Sequence, residues 1–216
     1  RPSLALRQKK RSSMHLAIKQ VASNESDACV SSGNTGALMA IGRHLLRMIP
    51  GVDRPAIIKA IPSTKGRCYL LDLGANIGCD AENLVQFAAM GSILCQSIEG
   101  IAAPKVGLLN IGEEEEKGNL LSQTAFQLMK DTSDFNFIGN VEGRDLLSDK
   151  ADVIVCDGFT GNVVLKEAEG IYTLIRKRGI KDEYFERFNY ENYGGTPILG
   201  VEGNVIIGHG ISNDIA

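Results

Sequence analysis

The residues best suited to chemistry sit in four short polar stretches. Ser31-Ser32-Gly33-Asn34-Thr35-Gly36 lies between an apolar run and a helix-like pattern. Gly33 lets the backbone approach a ligand closely, and Ser32, Asn34 and Thr35 bring side-chain donors. A helix starting near Gly36 would aim free N–H groups at this turn, which suits an anion. The plainer reading is a tight connection with Asn34 or Thr35 as N-cap. The second stretch, Asn110-Ile111-Gly112, runs into Glu113 to Glu116, then Lys117, Gly118 and Asn119. Acids near a helix start suit the helix dipole and water, so the glutamates read as a solvated run before a metal site. Lys117, between two glycine-bearing turns, is placed to meet a phosphate or an oxyanion, or simply solvent. In the third, Asp157-Gly158-Phe159-Thr160-Gly161-Asn162, Asp157 follows an apolar run and could accept a proton or orient a partner. Thr160 and Asn162 could donate hydrogen bonds at the next helix start, with Lys166 one helical turn on. The bland alternative is a turn aspartate and a surface lysine. The fourth is Gly208-His209-Gly210, whose glycines give His209 no helical setting, whereas His15 and His44 fall inside helix patterns.

Other chemistries find no support. There is no Gly-Lys-Ser/Thr after the first turn, no G-x-G-x-x-G, no G-x-S-x-G elbow and no His-x-x-x-His pair. The five cysteines, Cys29, Cys68, Cys79, Cys95 and Cys156, are odd in number and widely spaced, which argues for thiols rather than a disulfide framework or a zinc site. With 44% apolar and 23% charged residues among 216, the chain is long enough for a real core. A net charge of -3 gives no argument for nucleic acid. No apolar run approaches the ~20 residues of a membrane span.

These turns need a frame to bring them together. Apolar runs at 27–30, 56–61, 69–73, 106–111, 136–138, 152–156 and 204–207 read as strands, most of them continuous, as in a sheet buried on both faces. Helices are predicted over 4–22, 36–49, 81–98, 120–130 and 163–178, with Asp80 as an N-cap facing Asn83. Strand and helix alternate from end to end, which predicts an α/β domain over 1–216 with a mostly parallel sheet and helices on both faces. Residues 179–195, rich in aromatics and mixed charge, interrupt that pattern. Polar turns at 31–36, 72–76, 110–119, 139–143, 157–162 and 208–210 would then meet at one sheet edge, where open parallel sheets bind ligands.

The ordered series ALRQKKRSSM, SSGNTGALM, GVDRPA, YLLDLGAN, FAAMGS, VGLLNIGEEEEKGN, FIGNVEGRDLL, DGFTGNVVLK and YGGTPILG resembles the acyl-[acyl-carrier-protein]:phosphate acyltransferase family of bacterial phospholipid synthesis. The resemblance covers nearly the whole chain. It implies a fold similar to phosphate acetyltransferases and to isocitrate and isopropylmalate dehydrogenases, with a strand ahead of Arg1 and a helix after the last stretch. It implies transfer of a long-chain fatty acyl group from acyl carrier protein to inorganic phosphate, without cofactor or metal. The acyl phosphate would feed a membrane acyltransferase acting on glycerol 3-phosphate. Family members are homodimers, cytoplasmic and loosely attached to the inner face of the membrane. On motif position, the resemblance assigns phosphate binding to Ser32, Gly33, Asn34, Thr35 and Gly36. Lys117, Asn119 and Asn162 are then expected to stabilise charge, and Asp157 or His209 to manage the phosphate proton. The basic start, Arg7, Lys9, Lys10 and Arg11, is expected to dock the acidic carrier protein. Two alternatives stay open: a coenzyme A-dependent phosphate acetyltransferase, and a non-catalytic phosphate- or lipid-binding regulator.

Overall fold

The computed structural model describes residues 6–64, 66–189 and 195–208. The chain divides into two compact units, Arg1–Ile57 with Asn189–Ala216, and Ile58–Phe188.

The first unit holds helix α1 (Ser13–Ala22), strand β1 (Ala28–Ser31), helix α2 (Thr35–Leu46), the opening residues of β2 (Ala56–Pro62), and the late strands β7 (Thr196–Leu199) and β8 (Asn204–Ile207). Its strands run in the order β1-β8-β7-β2; β1 and β8 are parallel, and β7 is antiparallel to both its neighbours. Ile18, Val21, Leu38, Ile41, Ile198 and Val205 form its core. The helix predicted over 4–22 is broken at residues 9–12. Lys9-Lys10-Arg11 offers nothing to bury, and the Ser12 hydroxyl caps a fresh start by accepting from the His15 N–H at 3.3 Å. Strand β7 falls outside the predicted set, because Pro197 masks a short TPIL run.

The second unit holds the rest of β2, then β3 (Arg67–Leu71), α3 (Ala81–Glu99), β4 (Lys105–Asn110), α4 (Leu120–Lys130), β5 (Asn136–Glu142), a 3₁₀ turn (Gly143–Leu147), β6 (Val153–Val155), α5 (Gly158–Lys177) and the single turn α6 (Glu183–Glu186). Strand order is β2-β3-β6-β4-β5; β3, β6, β4 and β5 are parallel, and β2 is antiparallel to β3. Chain connection runs from β3 to β4, and β6 returns to lie between them. That reversal marks the point where open α/β sheets bind ligands.

Helices cover both faces. Gly91 of α3 lies over Val153 and Leu71, whereas Gly161 of α5 lies over Cys156. Residues 153 and 156 point to opposite sides of a pleated strand, so α3 and α5 flank the sheet. Helix α3 starts with the predicted cap: Asp80 accepts from Asn83 N–H at 2.9 Å, and Asn83 returns the bond to Asp80 N–H at 3.2 Å. The turn predicted at 139–143 is mostly strand. Gly139, at φ +94, absorbs a register shift between β4 and β5 and lets β5 continue to Glu142. Among the described residues no helix is long and apolar enough to cross a membrane.

Candidate functional site

In the second unit the parallel strands β3, β4, β5 and β6 all end at one edge, and two of their loops are laced together. Asp72 follows β3 and is fully buried. Its carboxylate accepts from the backbone N–H of Ala75 (3.2 Å) and of Asn76 (2.6 Å), and from Asn76 Nδ2 (3.0 Å). A buried carboxylate so surrounded by donors stiffens the 72–76 loop. The loop after β6 is tied to it by backbone bonds from Asp72 N–H to Cys156 O (3.1 Å) and from Gly158 N–H to Asn76 O (2.9 Å).

Helix α5 presses its first turn onto this loop. A Cβ on Gly158 would stand 2.8 Å from both Asn76 O and Asp72 Oδ2, and one on Gly161 would overlap the Asp72 carbonyl oxygen. Only glycine lets the helix start so close. Asp157 is the N-cap, accepting from Thr160 N–H at 3.0 Å and from the Thr160 hydroxyl at 2.6 Å. The helix predicted from 163 therefore begins at Gly158, and Thr160 and Asn162 lie in its first turns. Asn162 donates from Nδ2 to Leu73 O at 3.3 Å, and its side chain otherwise faces solvent.

Cys156 sits beneath these loops. Burial, with Asp157 and Asp72 nearby, pushes its thiol well above the usual range, so it is a neutral packing group rather than a thiolate nucleophile.

The loop after β4 is pinned from three sides. Asn110 Nδ2 donates to Lys117 O (3.0 Å), Asn140 Nδ2 to Glu114 O (2.8 Å), and Gln123 Nε2 to Glu116 O (2.6 Å). Gly118, at φ +87, brings the chain against the Asn110 side chain. The glutamates disperse: Glu113 pairs with Lys150 at 2.6 Å, and Glu115 with Lys130 at 2.7 Å. Lys117 is exposed and makes no ion pair among the described residues. Asn119 caps α4, accepting from Ser122 N–H at 2.9 Å and from its hydroxyl at 3.0 Å. Lys166, expected beside Asn162, pairs with Glu169 at 2.7 Å.

In the first unit, the loop between β1 and α2 leaves Ser32, Gly33, Asn34 and Gly36 exposed and Thr35 half-buried. Asn34 caps α2, accepting from Ala37 N–H at 2.9 Å, so its side-chain oxygen is engaged and its amide N–H groups remain as donors. Strand β8 ends beside this loop, with Gly208 N–H bonded to Ser31 O at 3.0 Å. His209 lies outside the described residues. Arg7, Lys9, Lys10 and Arg11 are all exposed.

The residues predicted from sequence thus fall into separate groups. Ser32 to Gly36 form one loop of the first unit, Asp157 and Asn162 share the laced loops of the second, and Lys117 and Asn119 belong to the neighbouring β4 loop. Asp72 and Asn76 were not singled out, although the turn DLGAN was; an aspartate directly after a buried strand, with an asparagine four residues on, is the signal they carried.

Comparison with known proteins agrees in sequence and in fold. A family model described as "Fatty acid synthesis protein" matches residues 1–184. A phosphate acyltransferase of Aeromonas salmonicida is 48% identical over 97% of this chain and 67% of its own length. One from a Shewanella species is 46% identical over the whole chain and 69% of its own. Among solved structures, the EutD phosphotransacetylase of Staphylococcus aureus matches with a TM-score of 0.64 at 14% identity, over 98% of this chain and 69% of that one. A branched-chain phosphotransacylase of Enterococcus faecalis gives 0.62 at 14% identity, over 93% and 73%.

Proposed function

The chain belongs to the phosphate acyltransferase family, and from that premise we propose that it moves a long-chain fatty acyl group from acyl carrier protein to inorganic phosphate. The observation that supports the direct-transfer reading is the burial of Cys156 beneath the laced loops: its thiol is out of reach of solvent and burial pushes its pKa up, so it is not placed to carry the acyl group. Phosphate itself is the nucleophile. One of its oxygens attacks the thioester carbon, the carbonyl becomes a tetrahedral oxyanion, and the C–S bond breaks. The proton of hydrogen phosphate ends on the departing sulfur. Acyl phosphate and the free carrier thiol are the products.

Loop 32–36 offers phosphate the Ser32 hydroxyl, the Asn34 amide and the first N–H groups of α2. In the second unit, Asn162 and Lys117 supply a neutral donor and a positive charge to stabilise the oxyanion. Asp157 and Asn119 hold the starts of α5 and α4, which orients those groups. Exposed Arg7 to Arg11 suit an acidic carrier protein. The reading extends to a homodimer, cytoplasmic and peripheral at the inner membrane face, handing its product to a membrane glycerol-3-phosphate acyltransferase. Orienting two reactants is worth roughly 7–11 kcal/mol, and one oxyanion donor ~3–4 kcal/mol.

The test is phosphate-dependent acyl hydroxamate formation from palmitoyl-acyl carrier protein, trapped with hydroxylamine, with palmitoyl-coenzyme A in parallel. Product from the carrier-protein donor is expected. Asn34→Ala should raise the KM for phosphate about tenfold, and Lys117→Ala should lower kcat about 100-fold. Equal turnover with the coenzyme A donor, or none with either, would overturn the assignment.

A further inference from the structure

An apolar groove runs along α5 inside the second unit, with a volume of about 400 Å³. Helix α5 contributes Val164, Ala168, Ile171 and Ile175, spaced four, three and four residues apart so that they form one stripe. Ile61 of β2 and Leu146 of the 3₁₀ turn also line it. Ile61, Leu146 and Tyr172 are buried, whereas Leu147, Val163 and Ile171 are exposed, so this is a groove open to solvent along part of its length.

Its two ends differ. At one end Val163 and Val164 directly follow Asn162, whose amide is tied to the loop after β3. At the other, Tyr184, Phe185 and Phe188 form a wall, with Tyr184 edge-on to both phenylalanines. Arg187 fixes that wall. Its guanidinium donates to Ser63 O at 3.1 Å and to Gly66 O, and it stacks 5.5 Å from the Tyr184 ring centre. Tyr172 spends its hydroxyl on Glu186 at 3.2 Å, which leaves an apolar body towards the groove. From Val163 to Ile175 the helix rises about 18 Å, the scale of a long extended hydrocarbon chain.

We propose that this groove holds the fatty acyl chain of the donor, carbonyl end towards Asn162 and methyl end against the Tyr184–Phe185–Phe188 wall, and that the wall measures chain length. The proposal rests on the acyl-transfer reading for the identity of the donor. An apolar groove of this volume, whose lining carries Glu167 as its single charged side chain and whose α5 end adjoins Asn162 in sequence, is on the scale of a single alkyl chain. Ala168 is the narrow side chain at its midpoint and decides how far a chain can pass.

The test compares palmitoyl- and octanoyl-acyl carrier protein as donors to phosphate, for the wild-type protein and for Ala168→Phe. Each buried methylene is worth about fourfold in affinity. The palmitoyl-over-octanoyl preference in kcat/KM should therefore fall about tenfold or more in Ala168→Phe, while Phe188→Ala should shift preference to longer chains. Binding of cis-parinaric acid, read by fluorescence, gives a second readout that needs no turnover, and Ala168→Phe should weaken it about tenfold. If no donor is turned over but parinarate binding is lost in Ala168→Phe, the groove stands and the transfer reading falls. Parinarate binding and chain preference unchanged in a folded Ala168→Phe overturn the proposal. So does loss of self-association or of vesicle binding in that variant with parinarate binding intact, since the groove would then belong to a second copy or a lipid surface.

Discussion

Asp157 is a carboxylate with two readings, and its hydrogen bonds support the one as helix cap. Both oxygens are occupied, one by the Thr160 N–H and one by the Thr160 hydroxyl. A phosphate nucleophile already carries accessible negative charge near neutral pH, so the reaction places little demand on a strong base. Asp157→Asn keeps a side-chain oxygen for the cap and should retain kcat within about threefold; Asp157→Ala should cost about 1 kcal/mol of stability. Thermal melting beside hydroxamate kinetics checks this. A large kcat loss in the asparagine variant at unchanged melting temperature would instead support the proton-handling role. The capping role of Asn34 was legible in outline, because Asn before an apolar-periodic run is an N-cap signal, whereas Asn119 was read only as a group to stabilise charge. That the side-chain oxygens of both are taken up at their helix starts was not legible, since cap and ligand contact draw on the same residue types.

Among the elements, α3 and α4 were read almost to the residue because period and cap agree. Helix α5 was not: its first turn, GFTGN, has two glycines and reads as loop, yet it is helical from Gly158. Those glycines answer to close packing on Asp72 and Asn76, a tertiary demand that no local pattern announces. Gly161→Ala adds a good helix former, so propensity alone predicts a gain of about 1 kcal/mol. The clash with the Asp72 carbonyl predicts the reverse, a loss of about 2–4 kcal/mol by forced backbone shift. Chemical denaturation decides, and a stabilised variant would mean that the helix start is not so tightly seated.

For the molecule as a whole, the α/β class and the mostly parallel sheet were legible, and the antiparallel strands were not. Continuous apolar runs mark burial without marking direction, so β2 and β7 could not be read as antiparallel. Global stability should also carry a signature of Lys59, which shares with Ile61 the α5 side of β2. Burial lowers its ammonium pKa; Glu169 opposes this, and Lys166 adds to it. The folded form thus binds the proton less tightly than the unfolded chain. Between the lowered value and the ordinary one the unfolded state holds more protons, so stability rises with pH, and below that window the cost is fully present. Lys59→Met should raise the melting temperature by a few degrees at pH 7, with the advantage shrinking towards pH 10. A constant difference across that range would detach the effect from the ammonium charge.

Helix α5 joins two kinds of position in one rigid rod. Its first turn has no room for even one added carbon, whereas a few turns later Ala168 faces open space in an apolar groove. Heritable variation therefore has unequal access to the two halves. A change from alanine to valine at 168 needs a single nucleotide and trims the groove while leaving the helix start seated. A lineage adjusting to colder or warmer surroundings could retune the fatty acids it accepts through such steps, with the bond-making apparatus held fixed.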